Sequence, residues 1–310
     1  MTAAISVFNM HFDRPCPVCG TSSELAALFL EESIDTSRLS GFSFSSRKTP
    51  EYMSHRLVRC PTCQLVYVPR PPAQDELAAA YHAADYDSSE EADDAADAYA
   101  LAIQPVLAAL TGREAVLEIG TGTGVFLDRL RNAGFGRLAG VEPSTAAILA
   151  APPHRRAWIR EGVFEEGAFA PSSFDLVCCF MTMEHVADPT AIARSAWRLL
   201  RPGGAFVTVT HDWQSTVNRM LGKRSPIIDV EHMQLFCSPS LMELFAHAGY
   251  QNVSVRAFTN RYALRYWLRL APIPVRPKAM LARVLAKVGL DRTKLGFNVG
   301  NAIAAGFKPR

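Results

Sequence analysis

Nowhere in the 310 residues do about 18 to 20 apolar residues follow one another without a break, the length a helix needs to cross a bilayer. The N-terminus lacks a basic start followed by an apolar core, and the chain is read as cytoplasmic. Strong charge of one sign is missing too: a net +2 gives no global attraction for a polyanion, so nucleic acid is not an expected partner. With 49% hydrophobic and 20% charged residues, the composition is that of a folded globular chain and excludes the disordered class. No internal repeat is present, and the length suits one large α/β domain with a small appendage.

Cysteine is sparse, and its arrangement argues against a disulfide framework. Four of the seven form two tight pairs, while Cys178, Cys179 and Cys237 stand in apolar surroundings that suit reduced, buried thiols. The pairs are Cys16-Pro17-Val18-Cys19-Gly20 and Cys60-Pro61-Thr62-Cys63, and four thiolates make the closed tetrahedral shell of structural Zn2+. A redox dithiol would need only one pair and a thioredoxin-like context, which is missing. The 40 residues between Cys19 and Cys60 exceed the compact pattern but suit a zinc ribbon with an inserted loop. A Pro-rich exit at Pro69, Pro71 and Pro72 reads as a domain edge, giving a ribbon-like module with linker over 1–72 and a main domain over 73–310.

From Ala115 the pattern alternates. Apolar runs at 115–119, 138–141, 176–180 and 205–210, with a shorter one at 158–159, are separated by helical spacings at 125–133 and 191–200. Ser238-Pro239 is a helix start and Gly249 a stop; runs at 253–257 and 302–307 supply two closing strands. Helices are also expected over 75–83 and 95–110. The fold class is therefore α/β, a doubly wound, mostly parallel sheet of seven strands.

The first of these strands leads into Glu118-Ile119-Gly120-Thr121-Gly122-Thr123-Gly124, an acid followed by three alternating glycines before a helix. Glycine there permits positive φ and close approach of a ligand at the carboxyl edge of the sheet. Counting onward from Gly120 or Gly122 fails the dinucleotide fingerprint in both registers, and no Gly-Lys-Ser/Thr follows, so a P-loop is excluded. Glu142, at the end of the second strand before Pro143, is placed to accept hydrogen bonds from ribose hydroxyls.

Glu-x-Gly-x-Gly-x-Gly resembles the first motif of class I S-adenosylmethionine-dependent methyltransferases. Phe174-Asp175-Leu176-Val177, Met183-Glu184-His185-Val186-Ala187-Asp188-Pro189 and Leu200-Arg201-Pro202-Gly203-Gly204 are similar to later segments of that family, in order, across about Val116 to Phe307. The resemblance implies a Rossmann-like sheet and S-adenosyl-L-methionine as cofactor, with Glu118 at the methionyl ammonium and the turn residues Gly120, Thr121, Gly122 and Gly124 around it. It implies Glu142 and Pro143 at the ribose, and Gly162, Val163 and Phe164 beside the adenine, the Phe ring as a stacking face, with Met181 lining the same crevice. Gln64 to Pro69 resembles the strand that precedes the methyltransferase domain in relatives carrying a zinc ribbon.

His185, just past the fourth strand, is the natural general base for an alcohol acceptor. Glu184, His211 and His232 are the further catalytic candidates. Some quinone-type relatives hold a divalent cation through two glutamates and the histidine; Met181 stands where the first glutamate would be, so no catalytic metal is expected.

Between the closing strands, residues 261–294 hold nine basic residues against Asp291 alone. This insertion reads as a basic amphipathic hairpin, foremost a cap packed over the site, with a dimer surface or a peripheral membrane contact as the other uses. The seven acids from Asp85 to Asp97 read as a solvated face. The expected reaction is methyl transfer, at oxygen before carbon or nitrogen, to a small-molecule, nucleotide-sugar or lipid-linked glycan acceptor. The alternative keeps the ribbon as a binding module for nucleic acid or protein, using Arg14, Arg47, Lys48, Arg56 and Arg59.

Overall fold

The alternating segments close on a seven-stranded sheet in a computed structural model that describes residues 13–39, 43–44, 51–84, 89–271 and 273–310, the side chains of residues 89, 90 and 275 aside. Arg47, Lys48, Asp85, Asp87 and the side chain of Glu90, all used in the sequence reading, lie outside the described residues. The N-terminal part contributes β1 (Ala27–Leu30), β2 (Leu57–Arg59) and β3 (Val66–Tyr67). Helices α1 (Gln74–His82), α2 (Ser89–Ala102) and α3 (Gln104–Ala109) follow. The helix expected over 95–110 is broken after Ala102, because Pro105 near the start of α3 cannot donate to the preceding turn.

The main sheet begins with β4 (Ala115–Ile119), α4 (Val125–Asn132), β5 (Arg137–Glu142), α5 (Thr145–Ala150), α6 (Pro153–Arg156) and β6 (Ile159–Glu161). It continues with β7 (Phe174–Phe180), α7 (Pro189–Leu199), β8 (Leu200–His211) and α8 (Thr216–Leu221). After β9 (Gln234–Leu235) and α9 (Ser238–His247) come β10 (Gln251–Ala263), α10 (Leu264–Leu270), α11 (Val275–Lys287) and β11 (Lys294–Phe307). The order is β10-β11-β8-β7-β4-β5-β6, with β11 antiparallel to both neighbours and the other pairs parallel.

Every residue of β4 and β7 is buried, which is why both appear in the sequence as unbroken apolar runs rather than alternating ones. The two faces of the sheet feed separate cores, Phe206 and Leu117 on one side and Leu127, Leu130 and Leu176 on the other. Asp175, inside the family-like Phe-Asp-Leu-Val segment, accepts from the backbone N–H groups of Glu114 and Ala115 at 2.8 and 2.9 Å. It therefore ties the start of β7 to the start of β4, at the amino edge and away from the glycine turn.

A second, four-stranded antiparallel sheet runs β1-β2-β3-β9. Its fourth strand comes from beyond residue 72: Val66 pairs with Leu235 and Tyr67 with Gln234.

The insertion is shorter than 261–294. Pairing of β10 with β11 continues to Ala263 opposite Lys294, although β8 pairs with β11 only up to Asn301 opposite His211, so the two strands project past the sheet as an arm. Helices α10 and α11 stand between the two strands. Tyr262, Tyr266 and Leu268 are buried as a packed cap requires, whereas Met280, Leu281, Val284 and Val288 on α11 are 41 to 66% exposed, so α11 does not pack as a cap.

The acidic run is likewise not a plain solvated face. Its described part lies in α2, where Arg129 bonds Asp93 and Asp97, Lys294 bridges Asp94 and Asp97, and Arg269 reaches Glu91 at 3.2 Å. The basic arm and the acidic helix thus partly neutralise one another.

Candidate active site and metal centre

The turn after β4 has the backbone that its glycines predict: Gly120, Gly122 and Gly124 all have φ between +56° and +75°. A Cβ at Gly120 would fall 2.2 Å from Thr182 Oγ1, so that glycine is fixed by packing; at Gly122 a Cβ would meet nothing within 4 Å among the described residues. Gly122 is therefore glycine for its conformation and borders open space at the carboxyl edge.

Two carboxyls flank that space. Glu118 is buried, accepts from Thr121 Oγ1, and has its pKa pushed up to about 8, first by burial, against the Thr121 hydrogen bond, with the charge of Glu142 adding to the rise. Glu142 accepts from the N–H of Gly122 at 2.7 Å and of Ser144 at 2.9 Å, and burial pushes its pKa up against these bonds. A buried carboxyl without a cation fits an ammonium, and a carboxylate oriented by two backbone donors fits a pair of hydroxyls. The donor set thus suits both ends of S-adenosylmethionine.

The remaining expected residues follow the carboxyl ends of β5, β6 and β7. Pro143 offers its carbonyl to His82 at 3.2 Å. Gly162 has φ +120°, with nothing among the described residues within 4 Å of where its Cβ would be, and the Val163 side chain is 37% exposed. Phe164 is stacked on Phe169, ring centroids 6.4 Å apart, and packs against the core, so its ring already has a partner. Met181 follows β7 with φ +50°, a left-handed conformation costly for a side chain with a Cβ and one that turns the chain sharply at the sheet edge.

Beyond that bend the structure brings three histidines together. The His185 ring lies 4.9 Å from His232, and His232 lies 5.2 Å from His211. His185 Nδ1 is 2.9 Å from Tyr81 Oη, 3.2 Å from the Glu231 carbonyl and 3.8 Å from the Glu231 carboxylate. His232 Nδ1 is 2.9 Å from the Ile227 carbonyl and donates to it. His211 Nδ1 is 2.8 Å from Asn301 Oδ1, and Asn301 Nδ2 donates to Asn260 Oδ1 at 2.9 Å. Burial lowers the His211 pKa to about 4, opposed by the Asn301 bond, so its imidazole is neutral at pH 7.

Glu184 lies behind this row. It is fully buried, its Oε1 accepts from His211 N, its Oε2 has no partner among the described residues, and burial pushes its pKa up to about 8. Tyr81, Glu231 and Asn301 were not singled out from the sequence; they arrive from α1, the approach to β9, and β11.

The ribbon brings all four expected cysteines together. Cys16 Sγ lies 3.5 Å from Cys63 Sγ and Cys19 Sγ 3.4 Å from Cys60 Sγ, and all four sulfurs lie within 4.8 Å of one another. A zinc ion with Zn–S bonds of about 2.3 Å needs sulfurs roughly 3.8 Å apart, so the set fits a tetrahedral ion. The two knuckles are built alike: Gly20 N donates to Cys16 O and Gln64 N to Cys60 O, with Gly20 and Gln64 both at positive φ.

This module is wired to the histidine row. Gln64 O accepts from Trp213 Nε1, and β9, next to β3, sends Gln234 Nε2 to Val186 O and Met233 N to Glu184 O. Arg14 adds bonds to Val68 O and Ala187 O. Residues 183–187 are thus held from the ribbon side.

A methyltransferase domain family matches residues 91–255, just over half the chain. A ubiquinone biosynthesis O-methyltransferase of Cupriavidus pinatubonensis is 31% identical over 175 residues, covering 49% of this chain and 66% of that protein. One from Ralstonia nicotianae is 32% identical over 180 residues, covering 51% and 74%. Against the one from Paracidovorax citrulli the match spans 47% of the relative's length. A solved S-adenosylmethionine-dependent methyltransferase from Thermotoga maritima, described as a possible histamine N-methyltransferase, aligns over 69% of this chain and 91% of its own at 22% identity and a TM-score of 0.46. With the matched segment running from α2 through the glycine turn and the histidine-bearing bend into β10, the chain belongs to the S-adenosylmethionine-dependent methyltransferase family.

Proposed function

We propose that this protein transfers a methyl group from S-adenosylmethionine to an oxygen of a small-molecule or glycan-like acceptor. The observation that carries the reading is the open space beside Gly122 between the buried carboxyls of Glu118 and Glu142, with the histidine row at the same edge of the sheet. The names of the Cupriavidus and Ralstonia relatives favour oxygen over nitrogen or carbon.

The sulfonium of the bound cofactor supplies an electrophilic methyl group. What remains for the protein is to align the acceptor, exclude water and take a proton. His185 is the base: its Nδ1 is turned toward Tyr81 and Glu231, which directs Nε2 to the acceptor hydroxyl, and the Glu231 carboxylate stabilises the imidazolium that forms. The neutral ring carries its proton on Nδ1, which donates to the Glu231 carbonyl at 3.2 Å. His211 stays neutral and, with His232, forms the polar wall against which the acceptor rests.

The four cysteines hold a structural zinc, closed to substrate because every ligand position is a sulfur. The shared β3–β9 pairing supports a buttress to residues 183–187 rather than an independent module for nucleic acid or protein. A labelled-methyl assay over quinols, nucleotide sugars, lipid-linked glycans and RNA tests the reading. Label entering an oxygen acceptor in a His185-dependent way is expected; a protein that binds NAD(P)H and ignores S-adenosylhomocysteine would refute it.

A further inference from the structure

Of the twenty large apolar side chains that are exposed among the described residues, nine lie between Leu270 and Phe297, on the arm and its helices. The exposure is not that of a loose segment. Tyr262 packs on Tyr266 at 4.4 Å, Trp267 packs on Phe297 at 5.3 Å and donates from Nε1 to Leu295 O at 3.0 Å, so α10 is fixed to the arm. Helix α11 packs beside α10, where Lys278 Nζ donates to Arg269 O at 2.9 Å, and Ala282 and Leu285 are its half-buried apolar residues.

The remaining circumference of α11 is ordered by type. Leu281, Val284 and Val288, at i, i+3 and i+7, form one exposed apolar flank. Arg276, Arg283 and Lys287, at i, i+7 and i+11, form an exposed basic strip beside it, and α11 contains no acid. A second element repeats the chemistry: α8, packed on β11, exposes Met220 to 82%, and Arg219, Lys223 and Arg224 are exposed around it. Both elements stand at the carboxyl edge, because α8 follows β8 directly and residues 294–300 of β11 run past His211, the last residue of β8.

We propose that α11, assisted by α8, docks on an anionic lipid bilayer, with its apolar flank among the acyl chains and its basic strip at the headgroups. Charge selects this occupant. A two-fold contact with a second copy would set the basic strips of two α11 helices near one another with no acid on that helix to offset them, and a nucleic acid would leave the apolar flank in water. The docking stands apart from the methyl-transfer reading; that it turns the acceptor's entrance toward the bilayer rests on that reading.

Flotation of the full chain with vesicles of phosphatidylcholine containing about 30% phosphatidylglycerol, against phosphatidylcholine alone, tests it. Salt-sensitive binding to the anionic vesicles is expected. The triple change Arg276→Ser, Arg283→Ser, Lys287→Ser should weaken it roughly 100-fold, at about fivefold per charge, and Leu281→Ser with Val284→Ser should weaken it while leaving α11's contact with α10 intact. Failure of the unchanged protein to float, equal flotation of the triple variant, or a concentration-dependent dimer lost in the Leu281/Val284 variant would each overturn the proposal. S-adenosylhomocysteine affinity, measured on the same samples, confirms folding and separates the two readings: cofactor binding without flotation sinks only the docking, and flotation without cofactor binding sinks only the methyl transfer.

Discussion

Replacing Glu118 by Gln gives the sharpest quantitative test. With its pKa near 8, the Glu118 carboxyl is largely protonated at neutral pH until a cation arrives. An ammonium seated against it forces ionisation, so binding of S-adenosylhomocysteine releases a proton and the affinity should rise about tenfold per pH unit between roughly pH 6 and 7.5. The charge-assisted bond contributes about 1.5 to 3 kcal/mol once the carboxylate exists, but ionising it at pH 6, two units below, costs about 2.7 kcal/mol. Wild type should therefore bind about 10- to 150-fold more tightly than Glu118→Gln at pH 8 and nearly equally at pH 6. Calorimetry in buffers of different ionisation enthalpy reads both affinity and proton release. A pH-independent gap between the two proteins, or no proton release by wild type at pH 7, would show that the carboxyl does not meet the ammonium.

Six further outcomes follow from the geometry. His185→Ala should lower kcat by about 10² to 10⁴ while leaving the dissociation constant for S-adenosylhomocysteine unchanged, and Tyr81→Phe should shift the pH–rate profile more than the maximal rate. Glu184 is protonated when folded at neutral pH, because its pKa is raised to about 8, and it ionises on unfolding; stability is therefore lost as pH climbs from about 4.5 to 8, and Glu184→Gln should melt above wild type at pH 8 and level with it near pH 5. Metal analysis should find one zinc per chain, and Cys60→Ser should lower both the melting temperature and kcat, since residues 183–187 hang on β9. Gly120→Ala should cost roughly 1 to 3 kcal/mol in denaturant titration, from the Thr182 overlap and the left-handed backbone together.

The central sheet could be read from the sequence because burial on both faces leaves unbroken apolar runs; β4 occupies 115–119 as expected. The outer strands were read too short. In β10, exposed Arg256, Thr259 and Arg261 dilute the apolar signal, and its length is set by pairing with β11 rather than by composition. Two-residue β9 has no pattern to detect. In the candidate site, the placement of Glu118, Glu142 and the glycines at the carboxyl edge could be read because one short segment and a fixed spacing define it. That of Tyr81 and Asn301 could not, since they meet their histidines across 104 and 90 residues. The ion pairing of α2 escaped for the same reason: local charge runs say nothing about where their counter-ions lie.

The strand borrowed from beyond residue 72 bears on how the chain is made. Val66 waits for Leu235, a partner that leaves the ribosome only after the whole parallel part of the main sheet has been synthesised. Until then the nascent ribbon exposes an unfinished edge next to its four thiols. A truncation ending before residue 234 would leave that edge permanently open and prone to pair with other chains.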